Sequence, residues 1–327
     1  MNNRKRRILL LLLMLFATTS LLTASTFAWF TANKTVTVSP IQVNVEAQGG
    51  IQISANGTTW KSVVNANELL AVQASSYTSA VNQIPLTMEP VSTALDLDAN
   101  AHLQMFYGTI SSNAGGNYIL STTEETDVNG QNGKYVAFDL FFRADSQVQL
   151  YLSTNSQIIT EDNTDTGIKN ATRIAFINKG NTAVGSSIET IQGLNTGNTS
   201  PVYLWEPNHD SHTAPAISHA SDTYGITVAD NDGEVVPYSG VKSVINASDN
   251  VLVGDANATE YSTLFTDITP DYTTISGFTT YEQIFTLPKG ISKIRIYMWV
   301  EGQDVDCENA ASGGSITYNL QITTNSQ

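Results

Sequence analysis

Hydrophobic and polar residues alternate along most of the apolar stretches of this chain. A period of two is the repeat of a β-strand, and no long stretch shows the spacing of an amphipathic helix. In residues 134–143, one face would hold these apolar side chains: Val136, Phe138, Leu140 and Phe142. The alternation resumes at 148–152 after the turn-like residues 144–146, which predicts a β-hairpin.

Further strands are predicted where the same alternation returns: 84–88, 103–107, 173–177, 202–205, 225–228, 283–287, 294–301 and 316–322. The last two resemble half-buried strands of a sandwich. Long runs of Asn, Asp, Gly, Ser and Thr separate the strands and predict surface loops. We therefore expect an all-β fold, an antiparallel β-sandwich of jelly-roll type with long surface loops. The length also allows a second sub-domain that begins near 186–200.

The N-terminus has the pattern of a bacterial export signal. Four basic residues at 4–7 precede an unbroken apolar run at 8–16 and a stretch that is rich in small residues. We expect residues 1–28 to be a signal peptide, which a signal peptidase removes by cleaving between Ala28 and Trp29. This pattern predicts an extracellular protein, either secreted or associated with the cell surface.

An uncleaved membrane anchor is the alternative for the same segment. No charged residue lies between Arg7 and Lys34, and a membrane-spanning helix needs about 20 mostly apolar residues. The Ser and Thr content of the second half of this segment favours cleavage, which leaves 29–327 as the β-sandwich domain. In both cases this leader is the only segment that we expect to contact a membrane.

The charge of the chain excludes some classes of partner. The sequence has 15 Lys and Arg against 30 Asp and Glu, and four of the basic residues lie in the leader, so the mature domain keeps 11 against 30. Such an acidic domain is repelled by nucleic acids and anionic membranes, and it attracts cations. Cys307 is the single cysteine, so the chain cannot form an internal disulfide.

The first strand candidate of the mature domain follows the leader directly. Its apolar positions change parity at Pro40, with the first two on one face and the last three on the other: Val36, Val38, Ile41, Val43 and Val45. Proline has no backbone donor, so this pattern predicts an edge strand or a strand with a bulge. An exposed apolar edge strand favours pairing with another chain.

Residues 26–34 resemble the signal-peptide junction of the camelysin family, which includes a biofilm-matrix fibre subunit of Firmicutes. In that family a small residue at the cleavage site precedes an aromatic residue and a short polar turn, and Ala28, Trp29 and Phe30 occupy these places here. The resemblance implies a jelly-roll subunit that donates its N-terminal strand, here within 35–45, to a neighbouring subunit and so builds a fibre. The expected partners are further copies of the chain, or other matrix or cell-wall components.

Some members of the camelysin family are described as metalloproteases, which directs attention to zinc. The sequence lacks the His-Glu-x-x-His motif, and its nearest approach to a zinc ligand set is His209 and His212, with His219 further along. The alternative for these histidines is a solvated loop. The sequence also lacks a Gly-x-Ser-x-Gly elbow, a histidine near Cys307 and a phosphate loop. We therefore predict no enzymatic activity.

Calcium is a better match for an acidic secreted chain, because it prefers clustered oxygen ligands. The most suggestive cluster follows the strand predicted at 294–301: Glu301, Asp304, Asp306 and Glu308. It does not complete the twelve-residue calcium loop, and such a cluster is more often a turn than a calcium site. The alternative for this one is a strand end that meets water. Calcium is therefore a candidate ligand and not a required cofactor.

Together these features predict a secreted structural protein of the bacterial cell surface or biofilm matrix. A surface adhesin or glycan-binding module is the first alternative. Its candidate sugar platform is Trp60, Trp205 and Trp299, although aromatic residues at alternating strand positions are more often part of the core. A camelysin-like metalloprotease is the second alternative, and no protease motif supports it.

Overall fold

The computed structural model describes residues 36–37, 45–48, 50–75, 77, 79–160, 167–207, 212–224, 238–253, 261–273, 281–307 and 316–324. The strands are β1 (Val36–Thr37), β2 (Val45–Gln48), β3 (Gln52–Ser54), β4 (Val63–Val64), β5 (Asn82–Gln83), β6 (Thr87–Met88), β7 (Val91–Ser92), β8 (Met105–Ser112), β9 (Tyr118–Glu125), β10 (Val136–Ala144), β11 (Val148–Leu152), β12 (Gln157–Thr160), β13 (Thr172–Thr182), β14 (Val202–Glu206), β15 (Tyr238–Val241), β16 (Phe265–Ile268), β17 (Tyr272–Thr273), β18 (Glu282–Leu287), β19 (Gly290–Val300), β20 (Ile316–Asn319) and β21 (Gln321–Thr323). The helices are α1 (Ala66–Ser75), α2 (Ile188–Gln192) and α3 (Ala214–Tyr224), with 3-10 turns at Gly197–Thr199 and Ala247–Asp249.

Two large sheets form the body of the molecule. The central sheet has the order β17-β14-β13-β19-β10-β3, and β5 also pairs with β10; the outer sheet has the order β18-β11-β21-β2-β4. Most pairings are antiparallel, and β14 with β17 and β2 with β21 are parallel. Phe138 and Met298 of the central sheet share the main core with Leu150 and Ile322 of the outer sheet. The predicted all-β, sandwich-like class is thus confirmed.

Strand β19 is the middle of the central sheet, where it pairs with β10 on one side and β13 on the other. All of its residues are buried, so the prediction of a half-buried strand was wrong. One face, with Ile294 and Met298, belongs to the main core. The opposite face, with Tyr297 and Trp299, belongs to a second core.

A smaller layer covers the second face of the central sheet. It contains the three-stranded sheet β7-β8-β9 and the pair β15-β16. Val91, Met105 and Tyr238 from this layer join Tyr297 and Trp299 in the second core. Because side chains on this face meet protein instead of water, the polar residues that alternate with apolar ones along β13 and β19 become buried.

Strands β10 and β11 do not form the predicted hairpin. β10 pairs with β19, β3 and β5 in the central sheet, whereas β11 pairs with β18 and β21 in the outer sheet. The turn at 145–147 therefore leads the chain from one sheet to the other. Phe138 and Leu150 face the main core from opposite sides, as expected for the apolar faces of their strands. The opposite face of β10 is buried as well, and the alternation did not predict the pairing partner.

The sequence predicts none of the three helices among the described residues, although one has a recognisable start signal. The Asn65 side chain accepts a hydrogen bond from the Glu68 backbone N–H at 3.1 Å, and the Glu68 carboxylate accepts one from the Asn65 N–H at 3.0 Å. This reciprocal arrangement is a capping box at the start of α1. The Asn-x-x-Glu spacing ahead of Leu69 and Leu70 indicates a helix start, although hydrophobic periodicity did not predict this helix.

The N-terminal strand is described only in part. β1 pairs with β6, and β2 lies between β21 and β4 in the outer sheet, so this part of the predicted edge strand is an interior strand. Five predicted residues lie outside the described residues, together with the strand predicted at 225–228: Val38, Ile41, Val43 and the cleavage pair Ala28 and Trp29. The segment 186–200 joins β13 to β14, which pair with each other in the central sheet.

Candidate functional site

The structure brings together residues from the two groups that the sequence marks as metal candidates. Glu301, Asp304 and Asp306 follow the end of β19, and His212 precedes α3. One donor atom from each of His212, Asp304 and Asp306 lies within 4.8 Å of the other two. The remaining candidates lie outside the described residues: His209 and Glu308.

Arg173 on β13 is the cation of this group. Its side chain is 2% exposed, and its Nη2 lies 2.6 Å from Glu206 Oε1 and 2.7 Å from Asp304 Oδ2. Glu206 comes from β14, the neighbour of β13. The Tyr238 ring lies against the guanidinium, with 5.5 Å between the ring centroid and Cζ. We call the following six side chains the acidic centre: Arg173, Glu206, His212, Glu301, Asp304 and Asp306.

Local hydrogen bonds fix the turn that carries three of these carboxylates. Glu301 Oε1 accepts from the Gln303 N–H at 3.0 Å, and Asp304 Oδ1 accepts from the Asp306 N–H at 2.8 Å. Gly167 (φ +82°) allows Asp306 to approach closely, because a Cβ at this position would lie 2.9 Å from the Asp306 carbonyl oxygen. The chain itself therefore holds the carboxylates in place.

Asp306 connects this turn to the segment ahead of α3. Its Oδ2 lies 2.7 Å from His212 Nδ1, and its Oδ1 accepts a hydrogen bond from the Thr213 N–H at 2.9 Å. The Asp306 side chain is fully buried, and His212 is 10% exposed. On the other side of the centre, Trp299 Nε1 donates to Glu301 Oε2 at 2.9 Å.

The acidic centre holds four carboxylates against one guanidinium and one imidazole. Burial raises the pKa of Glu301 to about 7, although hydrogen bonds from Ser92 and Trp299 act in the opposite direction. Burial likewise raises the pKa of Asp306. Burial alone would lower the pKa of His212, but its hydrogen bond to Asp306 and the nearby acidic charges outweigh this and raise it. Burial thus favours the protonated forms of Glu301 and Asp306.

One imidazole with two carboxylates is a donor set that divalent cations use. Here the same side chains already form ion pairs, Asp304 with Arg173 and Asp306 with His212. A cation would displace the His212–Asp306 contact and would share Asp304 with a guanidinium. The arrangement fits an ion-pair network better than a metal centre, so we assign no zinc or calcium to it. The metal role of these residues stays a prediction.

A second buried group of charges was not predicted from the sequence. In this cationic centre, formed by Asp139, Lys293 and Arg295, Arg295 Nε and Nη2 contact the two Asp139 oxygens at 2.8 and 3.1 Å. Lys293 Nζ lies 3.2 Å from Asp139 Oδ2. Burial acts to raise the pKa of Asp139, but the two cations outweigh it and lower the pKa to about 2. Asp139 is the register partner of Arg295, which only the pairing of β10 with β19 reveals.

The candidate tryptophan platform does not form. Trp205 and Trp299 are fully buried and belong to different cores. Trp60 packs against a small cluster that contains Phe141. That interpretation was wrong because both faces of the central sheet are covered.

The sequence also did not predict an open cleft at the side of the sandwich. This edge cleft has a volume of about 680 Å³ and lies between β13 and β14 of the central sheet and β18, an edge strand of the outer sheet. Its lining includes Asn178, Asn181, Ser200, Tyr203, Gln283 and Phe285. These residues come from distant parts of the chain, so no local motif marks them.

Comparison with protein-family models, curated proteins and solved structures finds no match to this chain. Among the helices of the described ranges, none is long and apolar enough to cross a membrane. The predicted leader at 1–28 lies outside those ranges.

Proposed function

We propose that this chain is a secreted structural protein of the bacterial surface or biofilm matrix, whose copies assemble by exchanging the N-terminal strand β2. The position of β2 supports this proposal best. β2 lies between β21 and β4, with register pairs such as Glu46 with Gln321 and Val45 with Val64. An N-terminal strand is thus an interior member of the outer sheet.

An interior strand near a chain terminus suits exchange. If β2 leaves, β4 loses its partner in the outer sheet and β21 keeps only β11, and the same strand from another copy would restore the lost bonds. Exchange also needs a hinge between β2 and β3. Gly50 lies there with φ +89°, is exposed, and would place a Cβ at least 4 Å from surrounding described atoms.

A disulfide trap tests the proposal. Gln48 and Thr323 are register partners across β2 and β21, so Gln48→Cys with Thr323→Cys places two thiols on adjacent strands. A Cys307→Ser background removes the native thiol. If β2 is exchanged, the bond joins different copies, and assembled material gives a ladder of multimers on a non-reducing denaturing gel. Each single substitution serves as a control without a ladder.

Negative-stain electron microscopy of the parent protein provides the second readout, with fibres or oligomers as the expected result. An intrachain bond in assembled material would rule out exchange through β2. A parent protein that stays monomeric at high concentration would reject assembly altogether.

A further inference from the structure

The edge cleft indicates a binding function in addition to the proposed structural role. We propose that it binds a neutral oligosaccharide. Its walls are β13 and β14 on one side and β18 on the other, and its volume of about 680 Å³ lies in the range of small-molecule sites. This site is separate from strand exchange, because β11 and β21 lie between β18 and β2 in the outer sheet.

The described lining of the edge cleft favours an uncharged ligand. Among the described residues that line the edge cleft, none is acidic or basic, although the whole chain has 45 such residues, 15 basic and 30 acidic. Phosphate, carboxylate or ammonium groups would find no ionic partner there. The polar groups are instead amides and hydroxyls, from Asn178, Asn181, Ser200, Gln283 and others. Such groups both donate and accept hydrogen bonds, as sugar hydroxyls require.

Two aromatic rings give the edge cleft an apolar surface. Tyr203 on β14 and Phe285 on β18 lie with ring centroids 5.9 Å apart and an interplanar angle of 36°. Tyr203 is half-buried, whereas Phe285 is 7% exposed. A sugar ring has apolar C–H faces and polar edges, so aromatic carbon beside amides and hydroxyls matches it. Tyr203 is the more accessible of the two rings.

The polar wall is held by the fold. A bulge interrupts β13 between Asn178 and Asn181, with Gly180 at φ +113°. Asn181 Nδ2 donates to Ser292 Oγ at 3.0 Å, and Asn178 Oδ1 accepts from the Gly180 N–H at 2.9 Å. Bulges commonly redirect side chains at binding sites. The amides are therefore positioned before any ligand arrives, which reduces the entropy lost on binding.

A peptide strand added to β18 is the competing occupant. β18 is the edge of the outer sheet, and edges accept strands. The apolar pattern of the chain's own N-terminal strand would need a series of apolar pockets, whereas amides and hydroxyls make up most of the opposite wall. The lining therefore favours the oligosaccharide.

Saturation-transfer NMR and isothermal titration of the purified protein test the proposal. The probes are neutral tetrasaccharides (cellotetraose, maltotetraose and chitotetraose), with tetragalacturonate as the acidic counterpart. At least one neutral probe should bind with a Kd below about 1 mM, and Tyr203→Ala and Gln283→Ala should each weaken this binding at least tenfold. Binding should be insensitive to salt, because none of the described residues that line the edge cleft is charged.

Tyr261→Ala is the matched control, since Tyr261 forms a similar ring pair with Phe265 at 6.4 Å in another part of the molecule. This variant should bind like the parent. Thermal unfolding of all variants separates lost binding from lost folding, and Gln283, which is exposed, keeps the test informative if Tyr203→Ala is unstable.

Three results would overturn the proposal. The first is the absence of binding by all neutral probes up to millimolar concentration. The second is tighter binding of tetragalacturonate. The third is binding of a peptide of residues 35–48 that Gln283→Ala weakens while sugar binding is absent, which would assign the edge cleft to a strand.

Discussion

Two groups of buried charged side chains lie on the same face of the central sheet, and their excess charge is compensated in different ways. In the cationic centre, Lys293 and Arg295 surround the single carboxylate of Asp139. In the acidic centre, four carboxylates share one guanidinium and one imidazole. The rings of Tyr297 and Trp299 lie between them along β19.

The difference shows how each excess charge is accommodated. The excess cations donate to backbone carbonyls, Lys293 to Gln192 at 3.0 Å and Arg295 to Ser79 at 3.3 Å. Ionised carboxylates cannot donate hydrogen bonds, and in the acidic centre burial instead favours the protonated form of Glu301, whose pKa is raised to about 7. We therefore expect Glu301 in the acidic centre to respond to pH near neutrality, whereas Asp139 of the cationic centre should titrate only in strong acid.

The largest expected effect comes from removing the cation of the acidic centre. Arg173→Met leaves Glu206 and Asp304 buried without their shared partner, and breaking a buried ion pair from one side costs about 3–5 kcal/mol. We expect Arg173→Met to lower the free energy of unfolding by about 5 kcal/mol, near the upper end of this range, as measured by urea unfolding at pH 7. A loss below about 1 kcal/mol, within the range of exposed ion pairs, would show that the centre is solvated.

Removing the carboxylate of the cationic centre should cost somewhat less. Asp139→Asn keeps the shape of the side chain but leaves Lys293 and Arg295 without a counter-charge, while both keep their carbonyl partners. We expect Asp139→Asn to lower the free energy of unfolding by about 4 kcal/mol at pH 7. The pKa of Asp139 is lowered, so its stabilising contribution is present above pH 3.8 and declines only as the pH falls towards about 2. A parent protein that loses this contribution already at pH 5 would contradict the assignment.

The change in the free energy of unfolding with pH near neutrality should come from Glu301. Its pKa rises from 4.5 to about 7 on folding, so its contribution is present below pH 4.5 and is lost as the pH rises through 7. At about 1.4 kcal/mol per pKa unit, the parent should lose about 3 kcal/mol over this interval. Glu301→Gln should flatten the curve of unfolding free energy against pH.

A smaller slope of the same sign should remain in Glu301→Gln, because the raised pKa of His212 also gives stability that is lost as the pH rises above 6.5. The double variant with His212→Gln should be flatter still. An unchanged slope in Glu301→Gln would place the titrating group elsewhere.

The smallest effect on stability should come from the edge cleft. Gln283 is exposed, so Gln283→Ala should change the free energy of unfolding by less than about 0.5 kcal/mol. The same variant should weaken binding of a neutral tetrasaccharide at least tenfold. A large loss of stability would mean that Gln283 supports the fold and does not serve a ligand.

Alternation along the chain predicted several strands well, among them the one at 173–177, which lies within β13. It also predicted that Phe138 and Leu150 face the core. It failed on the partner of β10, because a period of two specifies which side of a strand is apolar and not which strand lies beside it. The capping box of α1 was readable from Asn65 and Glu68, since that signal is local.

The sequence by itself determined the all-β class, the acidic charge and the turn of carboxylates after β19, because composition, alternation and short-range spacing are local properties. Only the tertiary structure decided that Arg173 and Arg295 are buried, since that required a third layer over the face on which polar positions normally meet water. It also decided that His212 meets Asp306, 94 residues away. Contacts of this kind follow from strand pairing and layer packing, which no local pattern encodes.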